Sequence, residues 1–125
     1  MKLQKLITGL LFSLILTTNA NAAGVYDGIW QMYYGNSFIG YNSIHQNGDQ
    51  LIAIPLYTNN LSWEAVIGTL DSNAVTVNSI ISDASYTIRV IFDSANSFTA
   101  TQVACSPTYN CLLPNGAVLT GTKIW

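Results

Sequence analysis

The sequence predicts an all-β fold: a single antiparallel up-and-down (meander) β-barrel of about eight strands with one disulfide. Three observations lead there. Turn-forming clusters recur at short intervals: Asn47-Gly48, Thr58-Asn59-Asn60, Asp71-Ser72-Asn73, Asp83-Ala84-Ser85, Ser94-Ala95-Asn96 and Pro114-Asn115-Gly116. Gly and Asn tolerate positive φ, and Asp and Ser bond their own backbone, so each cluster reverses the chain. Between the clusters lie runs rich in Val, Ile, Thr, Tyr, Phe and Trp, and links this short make sequence neighbours antiparallel spatial neighbours. No stretch beyond residue 22 keeps a helical period. Closing the sheet removes strand edges, which a β-prone chain with few charges would otherwise expose to aggregation.

Residues 1–22 read as a secretory signal peptide. Lys2 and Lys5 form a basic start, Leu6 to Leu16 an apolar run, and Ala20-Asn21-Ala22 a small-residue cleavage site. The apolar run is shorter than the roughly 20 residues that span a bilayer, so a membrane anchor is not expected. The expectation is export to the periplasm or beyond the cell, with residues 23–125 forming the barrel domain and no membrane insertion after cleavage.

Alternate residues indicate the faces. The first strand, Asp27 to Tyr34, sets Trp30, Met32 and Tyr34 on one side. In the second, Ser37 to Gln46, Phe38 and Ile44 oppose Ile39 and Tyr41, and a bulge near Gly40 reconciles them. Asn47-Gly48 is the strongest hairpin signal. The third, Asp49 to Tyr57, carries Ile52, Ile54 and Leu56 on one face, and Pro55 requires an end, a bulge or an edge. The fourth, Leu61 to Leu70, stacks Leu61, Trp63, Ala65 and Ile67 against an outer Ser62, Glu64 and Gly68. The fifth turns Val75, Val77 and Ile81 inward. The sixth has the cleanest alternation, with Tyr86, Ile88, Val90 and Phe92 in, and Thr87, Arg89 and Asp93 out. The seventh, Ser97 to Cys105, sets Phe98, Ala100 and Ala104 on one face. The last, Ala117 to Trp125, alternates Val118, Thr120, Thr122 and Ile124 with Leu119, Gly121, Lys123 and Trp125.

Beyond residue 22, Arg89 and Lys123 stand against six carboxylates, a net charge of −4. Two cations build no basic patch, which excludes nucleic acid and anionic lipid as expected partners. Cys105 and Cys111, with five residues between them, read as a disulfide stapling a loop. A redox pair favours C-x-x-C spacing, and two cysteines with a single histidine make a poor structural zinc set.

Gly28-Ile29-Trp30 ahead of a meander resembles the G-x-W start of lipocalins. That resemblance implies that Trp30 closes one end of the barrel and that Lys123, in Thr122-Lys123-Ile124-Trp125, packs across it. The further lipocalin motifs and the long open-end loops are missing. The chain is also similar to a poorly characterised domain of exported bacterial proteins. The match runs through Gly28-Ile29-Trp30, Gly40, Gln46-Asn47-Gly48-Asp49-Gln50-Leu51-Ile52-Ala53, Trp63, Gly68-Thr69-Leu70 and the tail from Gly116 to Trp125. Pro55 and a shorter turn before Trp63 depart from that pattern, and the family implies no activity.

His45 is the sole histidine and lacks a G-x-S-x-G elbow to serve. Asp49, Asp71, Asp83 and Asp93 lie in or beside turns, where capping is the usual role. Asp27 and Glu64 offer little as a glycosidase pair on so small a barrel. Arg89 reads as an outward strand residue pairing with a neighbouring acid, or else as an anion contact. No enzyme, catalytic residue, metal or cofactor is expected. The leading expectation is binding of a small apolar ligand inside a lipocalin-like barrel, lined by Trp30, Tyr41 and Trp63. The alternative is a protein- or glycan-interaction module (an inhibitor, immunity-type or adhesion barrel) with a side-chain-filled interior. Its contact patch would lie near Tyr33, Tyr34 and Asn36, or on the Cys105–Cys111 loop.

Overall fold

The computed structural model describes residues 23–125, so the signal-peptide assignment lies outside the described residues. Nine strand segments succeed one another: β1 (Gly28–Tyr34), β2 (Ser37–Asn47), β3 (Gln50–Tyr57), β4 (Ser62–Trp63), β5 (Ala65–Asp71), β6 (Ala74–Ile81), β7 (Ser85–Ser94), β8 (Ser97–Ser106) and β9 (Val118–Lys123). Each pairs antiparallel with a sequence neighbour, and β9 returns to β1 to close the sheet. The segments β4 and β5 lie on β3 in one register, through Leu56↔Trp63 and Ala53↔Val66, and form a single interrupted strand. The result is the closed eight-strand meander barrel that the turn spacing predicts. No helix among the described residues is long and apolar enough to cross a membrane.

Pro55 explains the interruption. Its carbonyl accepts from the Glu64 N–H at 3.1 Å, so its nitrogen faces the same neighbour and has no hydrogen to return. The strand β3 continues through Pro55, paired to Asn42 of β2 on its other side. The break falls instead on the facing strand at Glu64.

The bulge expected near Gly40 lies between Met32 and Tyr33, where Ile39 of β2 is the extra residue. Gly40 adopts φ +153°, and a Cβ there would collide with the Leu56 carbonyl oxygen, so the site needs glycine. Three further irregularities leave no comparable mark in the sequence, one of them at Asp93, between Phe92 and Ser94. Ile80 is the extra residue opposite Ala65–Val66, and Val103 is the extra residue opposite Thr87–Ile88.

The register of β4 and β5 on β3 and the bulges on β6 and β8 correct three assignments of face, and a fourth residue is exposed at the end of its strand. Glu64 and Val66 point inward while Trp63 and Ile67 point outward, the reverse of the expected stacking. Ile81 and Ala104, each beyond a bulge, are exposed. Tyr34, the last residue of β1, is also exposed. The remaining inward set holds: Trp30, Met32, Ile44, Val75, Val77, Tyr86, Phe92, Phe98, Ala100 and Leu119 are buried in one core.

At one end of the barrel the rings of Trp30, Phe92 and Phe98 meet at tilted or edge-on angles, with centroids 5.3–6.0 Å apart. Tyr26 stacks on Phe92, and the Trp30 indole N–H donates to the Tyr26 carbonyl at 3.1 Å. The Lys123 ammonium lies 5.6 Å from the Trp30 ring and donates to the Val25 carbonyl at 3.1 Å. The Trp–Lys closure implied by the Gly28-Ile29-Trp30 motif is therefore present. The opposite end carries the loop stapled by the Cys105–Cys111 disulfide.

Candidate functional site

Two regions compete for the role of binding site: the inside of the barrel and one side of its exterior. The interior holds a cavity of about 40 Å³, lined by Met32, Asn42, Pro55, Tyr57 and Phe92 among others. Sites that take small organic molecules enclose roughly 300–1,000 Å³. The inward side chains therefore fill the barrel almost completely. One polar atom faces this space without a partner: Asn42 Oδ1 is buried and accepts no hydrogen bond among the described residues.

Beneath the stapled loop lies a smaller void of about 20 Å³, which shares Tyr57, Tyr86, Ile88 and Leu119 with the first. Glu64 organises this end. Its Oε2 accepts from the Tyr86 hydroxyl at 2.7 Å and the Tyr57 hydroxyl at 3.3 Å, and its Oε1 accepts from the Ser82 hydroxyl at 2.7 Å. The register of β4 and β5 on β3 places this carboxylate inside, on the same face as Val66 and opposite Pro55. Burial, reinforced by the neighbouring Glu64 carboxylate, pushes the Tyr57 and Tyr86 hydroxyls well above the ordinary tyrosine range. The loop is tied down over the cluster by the disulfide, by the Gln102 side-chain amide donating to the Leu113 carbonyl, and by Asn110 Nδ2 donating to the Asp83 carbonyl at 2.8 Å.

The exterior is divided. On β6 to β9 the outward Thr76, Asn78, Thr87, Thr99, Thr101, Thr120 and Thr122 alternate with the scattered exposed aliphatics Ile80, Ile91, Val103 and Val118. On β2 to β5 they form cross-strand rows of apolar character. One row is Tyr41–Leu56–Trp63, the next Ser43–Ile54–Ala65, the third His45–Ile52–Ile67. Phe38 extends the first row, its ring edge-on to both Tyr41 and Tyr33 at 5.2 and 5.8 Å. Trp63 is 55% exposed and Leu56 42%.

The structure thus separates the three residues expected to line a ligand. Trp30 is fully buried in the aromatic plug at the closed end, whereas Tyr41 and Trp63 stand outside, one strand apart on either side of Leu56. Comparison with protein-family models, curated proteins and solved structures finds no match. The reading of function rests on the geometry alone.

The other candidates are quickly placed. His45 is exposed, its Nδ1 3.8 Å from Asp27. Asp27 accepts from the backbone N–H groups of Gly24 and Gln46, so it fastens the segment before β1 to β2. Arg89 lies outward on β7 between Thr76 and Thr101 and forms no ion pair among the described residues. No group of three metal-ligating side chains occurs among the described residues. The Glu64–Tyr57–Tyr86 cluster escapes sequence reasoning, because Glu64 reads as an ordinary outward charge beside Trp63. The available signal is Pro55, which faces Glu64 once the hairpin register is drawn.

Proposed function

We propose that this chain is an exported, non-enzymatic interaction module that binds a protein partner through the apolar outer face of β2 to β5. One observation carries the reading: the exposed rings of Phe38, Tyr41 and Trp63 adjoin the exposed Ile52, Ile54 and Leu56 across β2 to β4, while the interior is nearly filled. Contiguous exposed apolar surface of this kind is a feature of protein interaction sites. Exposed Trp and Tyr are the residue types that most often anchor them. A glycan site needs polar groups beside the rings to reach sugar hydroxyls, and Ser43 and His45 are the polar members of the three rows. A protein partner fits better. The signal-like leader and the disulfide support export.

The test is site-specific photo-crosslinking in the host. A photoreactive phenylalanine analogue replacing Trp63 is expected to give a discrete protein adduct, and the same group replacing Thr101 on the polar side to give none. Equal labelling from both positions, or none from position 63, would defeat the proposal.

The interior-ligand reading keeps one supporting observation, the unpartnered Asn42 Oδ1 in the central cavity. The volume admits a few water-sized molecules, so anything larger requires inward side chains to move. Native mass spectrometry of protein from its host would reveal a retained small molecule if that reading were correct.

A further inference from the structure

We infer that the stapled end of the barrel seats on the surface of a lipid bilayer with electrically neutral headgroups. This contact is separate from the protein-binding face of β2 to β5.

The connections between strands divide by end. Three hairpins lie at the end plugged by the Trp30 cluster: Asn47-Gly48-Asp49, Asp71-Ser72-Asn73 and Asp93-Ser94-Ala95-Asn96. Each carries an exposed aspartate, and none carries a large apolar side chain. The other four connections gather at the stapled end, and each presents a large apolar group to solvent. Tyr34 ends β1, Leu61 precedes β4, Ile80 and Ile81 end β6, and Tyr109 and Leu112 project from the stapled loop. Leu61 and Tyr109 are 82% and 86% exposed, so neither helps to pack the barrel. At the plugged end the comparable groups are Val25, Ile124 and Trp125, which come only from the segments flanking β1 and β9.

This arrangement selects the occupant. A protein partner reads one contiguous patch on one side of a molecule. Here the apolar groups stand on separate connections spaced round the rim of a closed barrel, and a planar lipid interface meets all of them at once. Tyrosine suits the headgroup level, where its ring and its hydroxyl each find a matching phase. Two features limit the depth. The rim also carries Thr58, Asn59, Asn60 and Asp83, and hydrocarbon does not accommodate such polar turns. Below the rim the wall turns Thr76, Asn78 and Arg89 to solvent, so only the end of the barrel meets lipid. Asp83 is the sole charged residue in the four connections, and no cation there attracts an anionic headgroup.

Flotation with phosphatidylcholine vesicles, on protein purified after expression of the full-length sequence, tests the inference. The wild type is expected to rise with the vesicles, and Leu61→Asn/Tyr109→Ser to bind at least roughly 10-fold more weakly, because it removes two apolar groups that the lipid would cover. Both positions lie exposed in turns, and Asn suits the φ of +55° at Leu61, so the variant is expected to keep the wild-type unfolding midpoint. Tyr109→Ser alone serves if the double variant misfolds. Trp125→Ser, which removes an equally exposed ring from the plugged end, is expected to float like the wild type. Replacing half of the phosphatidylcholine with phosphatidylglycerol is expected to add no affinity. A wild type that fails to float overturns the inference. So does a loss in Trp125→Ser equal to that in the rim variant, or binding that requires phosphatidylglycerol. A photoreactive group at position 109 that captures a discrete protein in the host, without vesicle binding, assigns the rim to a protein instead. The crosslink from position 63 tests the β2 to β5 face by itself, so the failure of one reading is distinguishable from the failure of the other.

Discussion

Glu64 is where one backbone atom and one carboxylate decide the chemistry of a barrel end. Pro55 cannot return a hydrogen bond to the Glu64 carbonyl and the strand breaks there, while the Glu64 side chain, inward by the register on β3, accepts from Tyr57, Tyr86 and Ser82. Glu64→Ala leaves two largely buried phenol hydroxyls without their acceptor. It is expected to cost about 2–3 kcal/mol, measured by urea unfolding, with Glu64→Gln costing less because its amide oxygen still accepts. The same cluster predicts alkaline lability. Both tyrosines have folded-state pKa values raised above the unfolded value near 10, so between those values the unfolded chain holds fewer protons than the folded one. Their contribution is therefore complete below about pH 10 and falls as pH rises further. Unfolding midpoints measured from pH 8 to 12 are expected to drop above about pH 10, and the Tyr57→Phe/Tyr86→Phe double variant to flatten that drop. An equal drop in the double variant would assign it to other groups.

At the scale of elements, alternation is readable wherever one face of a strand is polar. On β7 the inward Tyr86, Ile88, Val90 and Phe92 sit against Thr87, Arg89 and Asp93, and every assignment holds. It fails on β4–β5, where Val66 and Ile67 are adjacent and equally apolar, so hydrophobicity cannot choose a face. It fails again beyond Ile80 and Val103, because a bulge inverts the parity of the residues after it and leaves no fixed residue signature. Gly40 is the exception, since only glycine suits its φ and its approach to Leu56. The stapled loop is legible from cysteine spacing. Closing so short a loop stabilises by about 2 kcal/mol in the chain-entropy model. Cys105→Ser/Cys111→Ser is expected to lower stability by about that amount. It should also raise amide exchange selectively at Gln102 and from Thr108 to Leu113, with Trp30 and its neighbours unchanged. Exchange rising evenly over the barrel would mean that the loop supports the whole fold instead of covering one end.

At the scale of the molecule, closure explains why the container is legible and its use is not. Turn spacing and strand composition are local properties, and they specify a meander. Whether inward side chains leave a cavity depends on tilt and stagger, which no single strand records. Which outer face carries Tyr41 and Trp63 depends on the register across three strands. The same closure makes one seam decisive. The strand β9 pairs with both β1 and β8, through Trp30↔Lys123 to Tyr34↔Leu119 and through Ser97↔Thr122 to Thr101↔Val118. Gly121 lies in that seam with the Phe98 ring packed where a Cβ would stand, so the last strand also lids the aromatic plug. Removing residues 116–125 would turn β1 and β8 into two unpaired edges at once and uncover Met32, Phe98 and Ala100 between them. An acidic chain with so few charges lacks the edge lysines and prolines that discourage strand addition. The truncated protein is therefore expected to form thioflavin-positive aggregates under conditions where the intact chain stays in solution. Adding a synthetic peptide of residues 116–125 in excess should suppress the aggregates by restoring both ladders, whereas a scrambled peptide should not. A truncated chain that remains soluble and monomeric would show that the open sheet re-closes, with β1 pairing directly to β8.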